Sequence, residues 1–156
     1  MIEIGRAIIG VLDEQFARLD TRSVEMVKRI PSGRLYWQAR PATGVGSVCS
    51  VGEHLIRSAA IVEQTFGGIT SNLWDDPFEW TLPETLASTE DLLEYLSEVE
   101  ATRRRGFDTF KRDDDLLKRI SNASGELQTL FDLILDTLVR AASQQGSAHA
   151  VFALFP

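Results

Sequence analysis

The sequence predicts an all-α protein, a four-helix bundle built as one domain over residues 1–156. Apolar residues recur at three- and four-residue steps in four long segments, which is the period of helices with one buried face. Serine-led helix starts and breaks rich in glycine and proline separate these segments. No segment of convincing length alternates apolar and polar residues as a strand does. The 44% hydrophobic composition suits one ordinary core.

The net charge disfavours two classes of partner. The 156 residues carry a formal charge of −7, whereas binding to nucleic-acid phosphates needs clustered lysine and arginine. The same charge disfavours an anionic membrane surface. No stretch approaches the roughly 20 apolar residues of a membrane span. We therefore expect neither a nucleic acid nor a membrane as a partner.

Cysteine usage predicts a cytoplasmic protein. Cys49 is the only cysteine, so the chain cannot form an internal disulfide, which is typical of a reducing compartment. The first residues carry an acid at Glu3 and lack the long apolar run of a secretion signal. Cys49 precedes a predicted helix, whose N-terminus can lower a thiol pKa. We interpret it as a partly buried structural residue, with a nucleophile as the alternative.

The four helices have recognisable starts and stops. The first is predicted over residues 2–30, where Pro31 stops it. The second begins with a capping box at residues 50–53 and ends at Gly67 and Gly68. The third begins near Ser88, and the fourth covers residues 124–155. Within the third helix, residues 103–105 form an arginine run that we interpret as pairing with nearby acids.

Two long connections, residues 31–49 and 67–88, join the first three helices. Loops of this length are uncommon unless they carry function or cross over the fold. Tyr36 and Trp37, in the first connection, are expected to pack onto the bundle.

The distance between the two histidines of the chain depends on the order of the helices. His54 lies in the first turn of the second helix and His149 in the last turns of the fourth. In a plain up-down-up-down bundle they would be on the order of 20 Å apart. The length of the second connection favours an up-down-down-up order, with a long crossover between helices two and three. That order brings His54 and His149 to the same end.

Residues 30–55 resemble a known family. The chain reads Ile-Pro-Ser-Gly-Arg-Leu-Tyr-Trp at residues 30–37, then Pro41, then Ser-Val-Gly-Glu-His-Leu at residues 50–55. This order is similar to that of the DinB/YfiT-like superfamily, in which such a loop leads to a helix whose early histidine is the first metal ligand. The helix over residues 92–107 and the final helix also fit, so the resemblance covers nearly the whole chain.

The resemblance implies an up-down-down-up bundle of a kind that is often a homodimer. It also implies a divalent metal, zinc or nickel, held by three histidines at one end of the bundle. Members of the family include metal-dependent and thiol-dependent transferases, isomerases and hydrolases.

The last helix departs from the family pattern, which places a His-x-x-x-His pair there. In one register the two ligand positions fall on Ala142 and Gly146, which cannot coordinate a metal. Shifted by about one turn, the pair becomes Gln145 and His149, which together with His54 would form the metal site. In the absence of a metal, His54 is expected to form a hydrogen bond with the neighbouring helix or with the Trp37 loop. His149, near the C-terminal end of its helix, is expected to interact favourably with the helix dipole when it is protonated.

Two functional hypotheses follow from this departure. The first is a metal-deficient, non-catalytic DinB-like protein without a cofactor, with a pocket near His54 for a small molecule or a partner. The alternative is a metal-dependent enzyme of the same superfamily that uses His54, Gln145 and His149. A purely structural dimer module is also compatible, and an apolar patch left on the finished bundle would support it.

Overall fold

The computed structural model describes residues 5–31, 33–39, 49–77 and 81–156. In this part of the chain the long elements are α1 (Ala7–Arg29), α2 (Val51–Ser71), α3 (Thr89–Asp108) and α4 (Leu130–Phe152). A 3₁₀ helix (Asp113–Leu117) and two short strands, β1 (Arg119–Ser121) and β2 (Leu127–Thr129), lie between α3 and α4. The protein is thus mostly helical, as predicted. None of the described helices is both long and apolar enough to cross a membrane.

The start of α1 is fixed by a distant residue. Residues 2–4 of the predicted helix lie outside the described residues, and Gly5 and Arg6 precede the helix. The Asp113 carboxylate accepts hydrogen bonds from the N–H groups of Ile8 at 3.1 Å and Ile9 at 3.0 Å. These bonds satisfy N–H groups that a helix start leaves free, and the negative charge favours the positive end of the helix dipole.

The starts of α2 and α3 are confirmed. The Ser50 hydroxyl accepts from the N–H of Glu53, and the Glu53 carboxylate accepts from the N–H of Ser50, both at 3.2 Å. This is the predicted capping box. The Ser88 hydroxyl accepts from the N–H of Asp91 at 3.0 Å in the same manner.

The predicted end of α2 is wrong. The helix continues through Gly67 and Gly68 to Ser71, and Asn72 ends it in the left-handed region with φ of 55°. Gly68 lies under the indole ring of Trp74, where a larger residue would not fit. The glycine therefore allows a close approach and does not stop the helix.

A short hairpin precedes α4, so the helix starts at residue 130 and not at residue 124. The Asn122 side-chain oxygen accepts from the N–H groups of Ser124 and Glu126, both at 3.0 Å. Gly125 has φ of 83°, in the left-handed region that the turn requires. Strands β1 and β2 pair antiparallel across this turn. Each strand has three residues, which is too short to show a two-residue period in the sequence.

The core centres on three phenylalanines from different helices. Phe66 of α2 lies 5.3 Å from Phe16 of α1 and 5.1 Å from Phe107 of α3, measured between ring centroids. All three are almost fully buried. Helices α1 and α2 each pack against both α3 and α4.

The first long connection packs onto the bundle, as predicted. The Tyr36 hydroxyl donates to the carbonyl oxygen of Leu86. The Trp37 ring meets the Phe155 ring edge-on at 5.2 Å. Phe155 lies beyond the end of α4, because that helix ends at Phe152 and not at residue 155.

Candidate functional site

His54 is bonded to α4. Its Nδ1 lies 2.9 Å from Oε1 of Gln144. An amide oxygen only accepts, so Nδ1 carries the proton and donates it. The contact with a neighbouring helix is the one expected for His54 in the absence of a metal. Gln144 precedes His149 by five residues, so the first turn of α2 lies beside the last turns of α4.

Gln145 faces a different neighbour. Its Nε2 donates to the carbonyl oxygen of Leu19 at 2.6 Å and lies 2.8 Å from the hydroxyl of Ser23. Both partners belong to α1. Because a carbonyl oxygen only accepts, the amide NH₂ group must point towards α1. The side chain is buried, with 7% of its surface exposed.

His149 is exposed and lines the groove between α1 and α4. Gln145, Ala142 and Gly146 line the same groove, whereas His54 is not part of its lining. The structure therefore brings Gln145 and His149 to one surface and His54 to another contact on α4. Gln144, the neighbour of Gln145, is the residue that bonds His54, and its role was not predicted from the sequence.

Two of the three predicted metal ligands form hydrogen bonds with other residues. In the part of the chain that the structure describes, no group of three or more His, Cys, Asp or Glu residues could hold a metal ion. The His54 imidazole bonds Gln144, and the Gln145 amide nitrogen bonds Leu19 and Ser23. The set of His54, Gln145 and His149 stays a prediction.

The groove between α1 and α4 has a volume of about 630 Å³. Its rim carries three arginines from α1, Arg18, Arg22 and Arg29, with His149 on the α4 side, and Glu25 is the one acid among the described residues that line it. The apolar side chains of the lining are Leu19, Met26, Leu138, Val139, Ala142 and Phe152. An apolar floor with a few polar groups is typical of a small-molecule site, and the volume falls in the usual range.

A buried arginine joins α1 to α3. Arg103 is 2% exposed and pairs with the carboxylates of Asp13 and Glu100. Its guanidinium also lies 5.7 Å from the centre of the Phe107 ring. Burial, and then the nearby Arg104, lower the pKa of Arg103 to about 10, so it stays protonated at neutral pH. The predicted pairing with acids is confirmed for Arg103 and Arg104, whereas Arg105 donates to the hydroxyl of Thr102.

The burial of Arg103 was not predicted, although the sequence contains a signal for it. Arg103 continues the three- and four-residue steps of Leu96 and Val99, which are both buried. Its position in a basic run obscured that periodicity. Glu100 is affected by the same burial: desolvation first, and then the Asp20 carboxylate, raise its pKa to about 7, against the lowering effect of Arg104.

Cys49 does not have the features of an activated nucleophile. Burial raises the pKa of its thiol above the ordinary value, and a hydrogen bond with Glu53 acts in the same direction, while Arg57 lowers it. A raised pKa keeps the thiol protonated at neutral pH. The structural interpretation of Cys49 is therefore favoured over the nucleophile.

No protein-family model matches this chain, and a search of curated proteins finds no significant match. The resemblance to the DinB/YfiT-like superfamily therefore rests on the residues quoted above.

Proposed function

We propose that this chain is a DinB-like four-helix bundle that serves as a non-catalytic binding module and works as a homodimer. The observation that carries this proposal is an exposed side of α4 that has no charged residue. Phe131, Leu135, Val139, Ala142 and Gly146 follow one another on it at three- and four-residue steps.

The proposed helix order is up-down-down-up. Between α2 and α4, the Ser58 hydroxyl donates to the carbonyl oxygen of Ala141 at 2.8 Å, and the hydroxyls of Thr65 and Thr137 lie 2.7 Å apart. Residue numbers rise along α2 while they fall along α4. This is the pattern of an antiparallel pair, and it supports the proposed order.

Contacts between α2 and α3 support the same order. The Tyr95 hydroxyl donates to the Glu63 carboxylate at 2.6 Å, and the Phe66 and Phe107 rings are 5.1 Å apart. Residue numbers rise together, as in a parallel pair. Parallel neighbours need a connection that returns along the bundle, which is the proposed crossover between helices two and three. Residues 78–80 of that connection lie outside the described residues.

The non-catalytic part of the proposal is supported by the hydrogen bonds of the predicted ligands. The Gln145 amide is turned towards α1, and an amide is not among the usual protein ligands of zinc. The bond to Gln144 accounts for the position of His54 without a metal. The alternative, a metal-dependent enzyme, requires His54 and the Gln145 and His149 side chains to leave these positions and converge.

The uncharged side of α4 is continuous with an apolar part of α1. Ile8 and Val11 precede Gln15 by seven and four residues, so they share its side of α1, and Gln15 lines the groove beside Val139. Ile8, Val11, Phe131, Leu135 and Val139 are between 37% and 62% exposed. An apolar surface of this extent on a finished bundle marks an interaction site. We call these five residues the apolar face.

The sizes of the residues along α4 favour a second copy as the partner. The large side chains Phe131 and Leu135 stand at one end of the uncharged side, and Ala142 and Gly146 at the other. A two-fold axis beside Val139 would place Phe131 over Gly146 of the second copy and Leu135 over Ala142 of the second copy. Such a contact is self-complementary, as a two-fold dimer requires.

Charges beside the apolar face are compatible with the same axis. Asp136 and Arg140 form an exposed ion pair one helical turn apart, with an Nε to Oδ2 distance of 2.9 Å. In the antiparallel contact, Asp136 of one copy would lie near Arg140 of the other. The face would cover roughly 500 Å² per copy, given about 1.5 Å of rise per residue and helices about 10 Å apart. This area is at the small end of specific interfaces, so we expect a dissociation constant in the micromolar range.

Sedimentation of the purified chain across a range of concentrations tests the dimer. We expect a monomer–dimer equilibrium in the wild type and a monomer for Leu135→Arg, because a charge would be buried without a partner. Leu73→Arg is the matched control, since Leu73 is 61% exposed and follows α2, a helix that contributes no residue to the apolar face. A wild type that stays monomeric, or a Leu73→Arg variant that dissociates equally, would contradict the proposal.

Metal analysis of the same purified protein tests the non-catalytic part. We expect no stoichiometric zinc or nickel after purification without added metal. A tightly bound metal that is lost in His54→Ala would support the enzyme alternative instead.

A further inference from the structure

We infer that the His149 end of the groove between α1 and α4 binds an organic carboxylate with an apolar body. This end is formed by Arg22, Met26 and Arg29 of α1 and by His149 and Phe152 of α4. It lies beyond the part of α4 that the proposed second copy would cover. The inference therefore does not depend on the dimer.

The α1 side of this end is one row of three residues. Arg22, Met26 and Arg29 follow one another at steps of four and three, so they lie on the same side of the helix. Met26 is half-buried, and both arginines are exposed. The Cα atoms of Arg22 and Arg29 are thus about 10 Å apart along the helix, so their long side chains can reach one carboxylate from either side of Met26. A ligand with an anionic head and an apolar body matches this alternation.

Neither Arg22 nor Arg29 forms an ion pair with any other described residue. By contrast, Arg18 in the same groove pairs with Glu14. An arginine binds a carboxylate through two parallel hydrogen bonds, which gives both affinity and orientation. The rim of this groove is positive in a chain whose net charge is −7, so the local field attracts an anion.

Space for the apolar body is present between the helices. The groove, about 630 Å³ in all, continues past Gly146, the last residue of α4 that the proposed second copy would cover, to His149 and Phe152. Phe152 is half-buried and lines the groove. Met26 and Phe152 therefore offer apolar contact to the body of a ligand whose carboxylate lies at the two arginines.

The single acid of the lining selects the charge of the ligand. Glu25 lies at the same rim as Arg22 and Arg29 and offsets one positive charge. A carboxylate, with one negative charge, is therefore favoured over a dianionic phosphate. Two free guanidinium groups are sufficient for one carboxylate, which accepts up to two such pairs of bonds.

Isothermal titration calorimetry with 4-phenylbutyrate tests this inference, with 4-phenylbutanol, 4-phenylbutylamine and phenyl phosphate as comparison probes. We expect saturable binding of the carboxylate and weaker binding of the other three. Arg22→Gln and Arg29→Gln should each weaken carboxylate binding about tenfold, because each removes a charge-assisted hydrogen bond. Glu25→Gln should strengthen it. Arg105→Gln, on α3 and outside the groove, is the matched control and should leave binding unchanged.

Several outcomes would overturn the inference. They are the absence of saturable carboxylate binding, equal binding of the alcohol, tighter binding of the amine or of phenyl phosphate, and unchanged binding in both Arg22→Gln and Arg29→Gln. Repeating the titration with Leu135→Arg separates the two proposals. Binding that survives in a monomeric Leu135→Arg supports both the dimer and the separate site, whereas binding that is lost with the dimer contradicts a site built within one copy.

Discussion

The indole ring of Trp74 packs directly on Gly68, so that a Cβ at position 68 would lie 2.2 Å from ring atoms. The adjacent Gly67 has no such neighbour, because a Cβ there would be 3.6 Å from the carbonyl oxygen of Leu73, which is ordinary contact. Both glycines are helical. Of these two consecutive glycines, only Gly68 has a neighbour that excludes a larger side chain.

Alanine substitutions separate the two glycines. Gly68→Ala should lower the free energy of unfolding by about 1–3 kcal/mol, because the new methyl group forces Trp74 to move. Gly67→Ala should raise it by up to about 1 kcal/mol, because alanine is the better helix former. Denaturant unfolding followed by circular dichroism measures both. Equal effects in the two variants would show that Trp74 does not pack on the helix in this way.

His54 and His149 should differ in their contribution to stability. His54→Ala removes the hydrogen bond to Gln144, so we expect a loss of about 1 kcal/mol. His149→Ala is the matched control. His149 is exposed and its side chain forms no hydrogen bond with another described residue, so the change should stay within about 0.5 kcal/mol. Comparable losses in both variants would contradict the placement of the two histidines.

The carboxyl of Glu100 should make stability depend on pH. Its pKa is raised from 4.5 to about 7 in the folded protein, chiefly by burial. The folded state therefore binds this proton more tightly than the unfolded chain does. The resulting stabilisation is fully present below pH 4.5 and is lost as the pH rises to about 7. We expect its size to be about 1–3 kcal/mol.

Denaturant unfolding at several pH values between about 4.5 and 8 measures this effect. In Glu100→Gln the decline across that window should flatten, because the amide does not titrate. Glu94→Gln, an exposed carboxyl on the same helix, should keep the decline of the wild type. A Glu100→Gln profile that follows the wild type would show that another group controls the pH dependence.

Helical periodicity predicts the part of α4 that lies near His54, but not which residue of α4 contacts it. The prediction that His54 lies near the last turns of α4 agrees with its bond to Gln144. The residue that it meets was not predicted. Neighbouring residues on a helix differ in direction by about 100°, so an error of one residue exchanges a side chain that faces α2 for one that faces α1. Gln144 and Gln145 are such a pair.

The helical class, the starts of α2 and α3, and most of the buried residues of the long helices can be predicted from the sequence. These depend on local chemistry: serine caps with an acid three residues later, and apolar residues at the helical period. Helical periodicity does not separate those buried residues from the five residues of the apolar face, which are exposed. Three other features follow from packing: Asp113 caps α1, Arg103 is buried against Asp13 and Glu100, and Gly68 accommodates Trp74. Each of these is a contact between segments far apart in the chain or a fit of side-chain shape. A local pattern carries no information about either, because both arise only when the helices pack together.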